Sequence, residues 1–438
     1  MIPYLPTTER DRRAMLDTIG VERVDALFAD IPKEFRDPGL NLPPPLSELE
    51  LKRELQRLAA KNASGDEWGY FLGGGAYRHF IPGVVWNLVK RSEFLTAYTP
   101  YQPEISQGVL QASYEFQTLC CQLLNMEVAN VGMYDGATAF AEAALMACRL
   151  TKRAKVRALA TVSPRYIAVL ETYAVPQGVE VEVVETATAA GGPEIACLLA
   201  QSPNFSGAME DLDRLGKATH SHGSLLVVAT DPIAMGLFKP PGDYGADIAV
   251  AEGQPLGVPM SFGGPYVGIF TCKASHVRQM PGRIVGKTVD GQGKTGYVLT
   301  LQTREQHIRR ERATSNICTS ETLIAIANAV YMAALGKWGM RRVAELCYHK
   351  AHYAAAQIAK IPGYAIATEG VFFKEFAVTC PAAPSEINKA LRARKIVGGL
   401  DISSPGTPNR MLVCVTEVNT KAEIDSLIEG LREAADGR

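Results

Sequence analysis

The residues best placed to do chemistry lie in one run, YTPYQPEISQG at 98–108. Tyr98, Tyr101, Gln102, Glu104 and Ser106 put hydroxyl, amide and carboxylate groups within a few residues of one another, and Pro100 and Pro103 lower the entropy lost in holding them. Such a set can hydrogen-bond a small polar substrate, or pack as an aromatic loop in a subunit interface. A second candidate is Asp135-Gly136-Ala137-Thr138, a small-residue turn opening a helix whose free N–H groups could hold a phosphate. The plainer alternative is that Asp135 only caps the helix. A third is Arg312-Ala313-Thr314-Ser315-Asn316, although Arg309, Arg310 and Arg312 also read as solvated charge on a helix.

Other motifs fail on spacing. The GKT triplets at Gly286 and Gly293 are not P-loops, because Pro281 and Thr288 stand where the first glycine is needed. Gly73-Gly74-Gly75 lacks the third glycine of a dinucleotide fingerprint and reads as a tight turn. His220 with His222, and His349 with His352, have no carboxylate or cysteine set beside them, so solvated or capping histidines are expected. Cys120 and Cys121 sit in an apolar helical pattern, where cysteine serves as a small hydrophobe.

The elements that must position these groups alternate. Candidate strands are 128–133, 155–162, 179–186, 194–201, 224–231, 246–253 and 266–272, with helical stretches at 136–150, 164–175 and 211–223 between them. Alternation of this length implies βαβ crossovers and a mostly parallel sheet covered on both faces. Ahead of it, Thr8 is expected to cap a helix stopped by Gly20, and Ser47 with Glu50 has capping-box spacing for another presenting Leu51, Leu55 and Leu58. A long helical region is expected from Ser320 to about Lys360. The organisation expected is a helical N-terminal arm at 1–65, a large α/β domain at 66–325 and a small α+β domain at 326–438.

In a doubly wound fold of this kind, pyridoxal-phosphate (PLP) chemistry gives the pattern a test. Gly136 and Thr138 would sit at the phosphate, and Asp231, at a strand end, would pair with the pyridine nitrogen and keep the ring an electron sink. An Asp-Pro turn explains Asp231 equally well. The aldimine lysine should follow the next strand, yet no lysine occurs between Lys239 and Lys273, and the expected place reads Glu252-Gly253-Gln254-Pro255. The fold class expected is therefore the PLP-dependent aminotransferase-like (fold type I) α/β architecture without its own lysine. An unconventional lysine, Lys239 or Lys273, would require a misread register.

The run at 98–108, continuing VLQASYEFQTLCCQLLNMEVAN, closely resembles the signature of glycine decarboxylase, the P-protein of the glycine cleavage system. TREQHIRRERATSNICTS (303–320), FLGGGAYRHFIPGVVWNLV (71–89) and the leader TTERDRRAMLDTIGV (7–21) are similar to the same family, so the resemblance covers essentially the whole chain. It implies the separate N-terminal half, subunit 1 or α, with PLP and its lysine on a homologous subunit 2. Implied with it are glycine as substrate, the lipoyl arm of H-protein as acceptor, and a functional link to T-protein and L-protein. Tyr98, Tyr101, Gln102, Glu104 and Ser106 would then surround glycine or order the partner's loop, and Arg312, Thr314, Ser315 and Asn316 would reach the partner's phosphate. The competing expectation is a purely structural or regulatory subunit. Aromatic crowding over 68–119 suggests that this segment forms much of the interface between subunits.

Composition narrows the setting. A net charge of -1, from 45 basic and 46 acidic residues, leaves no excess positive potential for a nucleic-acid backbone. Runs such as SLLVVA (224–229) are far shorter than the roughly 20 apolar residues of a membrane span. The start MIPYLPTTERDRR has no apolar targeting core, and nine cysteines without a C-x-x-C pair fit reduced thiols. A cytoplasmic protein is expected.

Overall fold

The computed structural model describes residues 6–36, 38–185, 192–317 and 321–436. The end of the strand expected at 179–186, and residues 318–320 of the 303–320 run, lie outside them. The chain divides into two compact units, Met1–Asn62 and Ala63–Arg438.

In the first unit, α1 (Glu9–Ile19) opens on a capping box between Thr8 and Asp11 and stops at Gly20, which takes φ 86°. Its second helix, α2 (Glu48–Ala59), opens on the Ser47–Glu50 capping box. The apolar positions Met15, Ile19, Leu51, Leu55 and Leu58 are exposed in this chain.

In the second unit, β1 (Gly69–Tyr70) is followed by α3 (Gly83–Val89), α4 (Ser92–Leu95) and α5 (Gln107–Leu124). Then come β2 (Val128–Ala129), α6 (Gly136–Thr151), β3 (Lys155–Leu159), α7 (Pro164–Ala174), β4 (Glu180–Val184), β5 (Ile195–Gln201), α8 (Leu212–His220), β6 (Leu225–Thr230), β7 (Ile248–Glu252) and β8 (Gly268–Cys272). The strands expected from sequence are the strands of one seven-stranded sheet, ordered β2-β8-β7-β6-β5-β3-β4. β3 through β7 pair in parallel, while β8 runs antiparallel to β7 and β2. β5 is buried along nearly its whole length, as a strand covered on both faces must be. One apolar layer joins α6 residues such as Phe140 and Leu145 to Leu198 and Val227, and the other joins α3 and α5 to Ile269 and Tyr331.

Beyond the sheet, β9 (Ile284–Val289) and β10 (Thr295–Thr300) form a hairpin that the sequence reading did not anticipate, and it holds both GKT triplets. After α9 (Gln306–Arg309) comes α10 (Thr322–Ile358), which contains a break at Gly336 (φ 60°, ψ -175°). By length and composition α10 could cross a bilayer, but it packs in two cores: Ile324 and Tyr331 under the sheet, Ala351 and Ile358 further along. That second core is completed by β11 (Ala365–Ile366), β12 (Glu375–Thr379), α11 (Pro384–Ala393), β13 (Ile396–Val397), β14 (Leu400–Asp401), β15 (Arg410–Cys414) and α12 (Lys421–Asp436). Phe71 packs in it, and β1 pairs in parallel with β13.

Candidate functional site

The end of the parallel sheet opens on a cleft lined by Gly74, Tyr77, Ser163, Tyr166, Gln201, Asp231, Glu252, Lys374 and Glu375. Sheet topology explains this: β6 and β7 deliver Asp231 and Glu252 from their C-terminal ends, where open α/β sheets bind ligands. Gly136 lies at the same end, as the first residue of α6. Of the two readings of its turn the structure shows the plainer one: Asp135 caps the helix in a box with Thr138, and the Gly136 N–H that would have met a phosphate donates to Glu252.

Each group the cofactor would meet is already engaged by the chain itself. Glu252 accepts from the Gly136 N–H at 2.9 Å and from the Gln254 N–H at 3.0 Å, so a side chain stoppers the helix N-terminus. Asp231 Oδ2 lies 2.7 Å from Lys374 Nζ, and its Oδ1 accepts from Ile233 N–H at 2.9 Å. Glu375 accepts from the Gly74 N–H at 2.7 Å and the Tyr77 hydroxyl at 2.8 Å. The remaining cavity is about 50 Å³, against roughly 300–1,000 Å³ for an ordinary small-molecule pocket. These residues do not fit PLP.

Neither lysine considered as an unconventional substitute is available. Lys239 lies over the Tyr244 ring at 4.3 Å, and Lys273 pairs with Asp247 at 2.5 Å. The lysine that does reach the cleft, Lys374, was missed by sequence reasoning. It is 1% exposed and sits on the carboxylate expected to face the ring nitrogen, at the opposite end of the ring from the position an aldimine needs. A signal existed: FFKEF places a Lys-Glu pair inside an apolar strand pattern, and buried charges of that kind are rare unless paired.

The charges continue inward. Lys374 Nζ donates to His79 Nε2 at 3.0 Å, which leaves the His79 proton on Nδ1, 2.7 Å from Glu417. Cys347 reaches the same carboxylate at 3.3 Å. Although His79, Cys347 and Glu417 are close enough to share a metal, the Lys374 ammonium against His79 argues for an ion-pair chain instead. Burial alone would raise Glu417 and lower Lys374. Hydrogen bonds from His79 Nδ1 and the Phe80 N–H nevertheless hold Glu417 below its usual value, and Asp231 keeps Lys374 above its own.

Burial outweighs the N–H bonds to Glu252 and pushes it from 4.5 up to about 8. The folded chain therefore keeps a proton there that the unfolded chain releases near 4.5. The stabilisation is complete below 4.5 and is lost as pH rises through about 8. Glu252→Gln is expected to flatten stability over that window, removing a fall on the order of 5 kcal/mol. Denaturant titrations at a series of pH values check this, and an unchanged slope would count against it.

The other candidates gather elsewhere. Arg283, after the turn into β9, donates to the Tyr101 hydroxyl at 2.8 Å and pairs with Glu305 at 3.3 Å, and His307 meets the Tyr101 ring edge-on at 5.4 Å. Thr314 and Ser315 line a small pocket with Arg283, Arg304 and Glu305, and the Ser315 hydroxyl donates to the buried Glu142 at 2.5 Å. The structure thus brings the 98–108 and 312–316 runs together through Arg283, which the sequence reading passed over. Tyr98, Gln102, Glu104, Arg312 and Asn316 are exposed, and Ser106 precedes α5, half-buried. None of these lines the cleft at Asp231. Of the His349 and His352 pair, His349 is exposed as expected, and the reading of His352 is corrected: it stacks on Phe372 at 3.9 Å and against Tyr348 at 4.0 Å, so it is packed among aromatic rings, neither solvated nor capping.

The family model for "Glycine cleavage system P-protein" matches residues 3–431. The chain belongs to this family. It is 50% identical over 442 residues to a protein of Desulfitobacterium hafniense named "Probable glycine dehydrogenase (decarboxylating) subunit 1", covering 98% of this chain and 99% of the relative. A protein of the same name from Thermomicrobium roseum is 51% identical over 450 residues, with 98% and 99% covered. A crystal structure of glycine decarboxylase (P-protein) of the glycine cleavage system, in inhibitor-bound form, superposes with a TM-score of 0.94 at 44% identity over 99% of this chain and 100% of that one. A cysteine desulfurase from Escherichia coli, at 15% identity and a TM-score of 0.61, shares the fold. The P-protein fold here is therefore the fold-type-I α/β architecture with its own cofactor cleft closed.

Proposed function

We propose that this chain is the half of a two-subunit P-protein that carries no Schiff-base lysine, and that it completes the active site of a homologous lysine-bearing partner. The observation carrying this reading is the cleft itself, where Lys374 and Glu252 occupy the places that a cofactor would need. Together the subunits decarboxylate glycine, releasing carbon dioxide and passing the aminomethyl group to the lipoyl disulfide of H-protein. PLP, bound on the partner, supplies the electron sink for loss of the carboxylate.

This chain's contribution is positional. Tyr101 is held by Arg283, and with Tyr98, Gln102, Glu104 and Ser106 it forms a polar, proline-stiffened edge for a small zwitterion. Thr314 and Ser315 share a small pocket with Arg283, and Arg312 and Asn316, which are exposed, would reach toward the partner. Through H-protein the complex would serve T-protein and L-protein in the cytoplasm.

Borohydride reduction of the reconstituted complex with PLP is expected to fix the pyridoxyl group on the partner alone. A pyridoxyl-lysine on this chain would overturn the reading. Tyr101→Phe and Glu104→Gln are expected to lower turnover about 10-fold or more while assembly stays intact. Unchanged turnover in both would favour the competing, purely structural subunit.

A further inference from the structure

The cleft is closed by contacts spanning distant parts of the chain. Asp231 follows β6 in the sheet, Gly74, Tyr77 and His79 lie in the segment before α3, and Lys374 immediately precedes Glu375, the first residue of β12 in the small sheet. The Lys374 ammonium has Asp231 at 2.7 Å, His79 Nε2 at 3.0 Å and the Tyr77 ring face at 3.6 Å. Three donors thus meet three partners. The groups around it are equally matched, Glu375 by Gly74 and Tyr77, and Gln201 by the Ser163 N–H at 2.8 Å.

We infer that Lys374 is a built-in cation, standing in for the cationic ring of a bound cofactor on Asp231, and that it locks the small sheet against the large one in the absence of any ligand. A ligand that bridges two parts of a fold stabilises only the arrangement that binds it, and only while it is bound. A covalently attached ammonium does so permanently. The same charge gives Asp231 a role beside a cleft with no room for a cofactor: with Lys374 buried, its carboxylate is the counter-ion. The inference rests on the closed-cleft geometry and not on turnover, so reconstituted activity tests the functional reading separately.

The test is thermal unfolding of the full chain. Lys374→Ala strands a buried carboxylate and opens an alkyl-ammonium-sized hole, and is expected to lower Tm by about 5–10 °C. Propylammonium should restore part of the loss, whereas propanol should not, and wild type should respond to neither. Lys374→Met with Asp231→Asn, which buries no charge at this point, should unfold above Lys374→Met alone. The inference is overturned if Lys374→Met unfolds at the wild-type temperature, or if amine and alcohol act alike on Lys374→Ala. Should Lys374→Ala yield no folded chain, the Lys374→Met variants decide: a higher Tm for the double variant than for Lys374→Met alone supports the buried pair, and an equal or lower one overturns it.

Discussion

Ile105→Asp is expected to weaken assembly with the lysine-bearing subunit by about 100-fold or more. Ile105 is 80% exposed within the proline-stiffened run, as is Tyr98 at 77%, and Phe80, Val84, Leu88 and Leu95 are exposed in the segment leading to it. Contiguous exposed apolar side chains on a folded surface mark a partner. On α3 the two faces differ: Val85 and Val89 are buried in the core with Phe116 of α5, while Val84 and Leu88 stay exposed and are left for the interface with the loop residues Phe80, Tyr98 and Ile105. A carboxylate at Ile105 would have to be desolvated without a cation, so the loss should fall mainly on the dissociation rate. Sedimentation velocity and amide exchange on mixing check this. The isolated chain should self-associate, and exchange should slow over 80–105 on pairing. Wild-type assembly by Ile105→Asp, with protection elsewhere, would remove both the interface and the role given to the 98–108 run.

The second large effect is expected at Arg283, which is 6% exposed. Its guanidinium pairs with Glu305 at 3.3 Å, donates to Tyr101 at 2.8 Å and lies 5.2 Å from the centre of the Tyr101 ring. Glu305 Oε1 is buried with no hydrogen-bond partner in the described structure, and His307 is 3.5 Å from its other oxygen. Arg283→Met would leave that carboxylate desolvated, at a cost of about 3–5 kcal/mol. Tyr101→Phe removes only the hydroxyl that accepts from Arg283, for about 1 kcal/mol. Arg283→Lys should fall between, since an ammonium cannot reproduce the planar fork. Denaturant unfolding of the three variants gives the order directly, and Arg283→Met within about 0.5 kcal/mol of wild type would contradict the buried-pair account.

The large sheet was legible because its strands are short β-branched runs separated by amphipathic helices, and every run chosen on that pattern entered the sheet. Strand ends were read slightly long: the 155–162 run pairs only as far as Leu159, since periodicity does not register where a ladder stops. The β9–β10 hairpin escaped notice because its glycines were weighed as a phosphate loop rather than as a turn, and Gly293 takes φ 78° there. At the site, Asp231, Gly136 and the lack of a lysine in the stretch 252–255 could be read from order along the sheet. Lys374 could not, because its meaning depends on the small sheet folding back on Asp231 from well over a hundred residues downstream. The same is true of Arg283, an ordinary surface cation in sequence until the fold sets Glu305 and Tyr101 around it.

The Lys374–Asp231 pair also bears on the order of events in the cell. A subunit whose final shape waits on a vitamin-derived ligand is vulnerable whenever that ligand is scarce, as an unliganded fold is open to proteolysis. This chain carries its closing charge in its own sequence, so translation alone supplies what its cleft requires. On that inference, the folding of this half does not wait for cofactor supply.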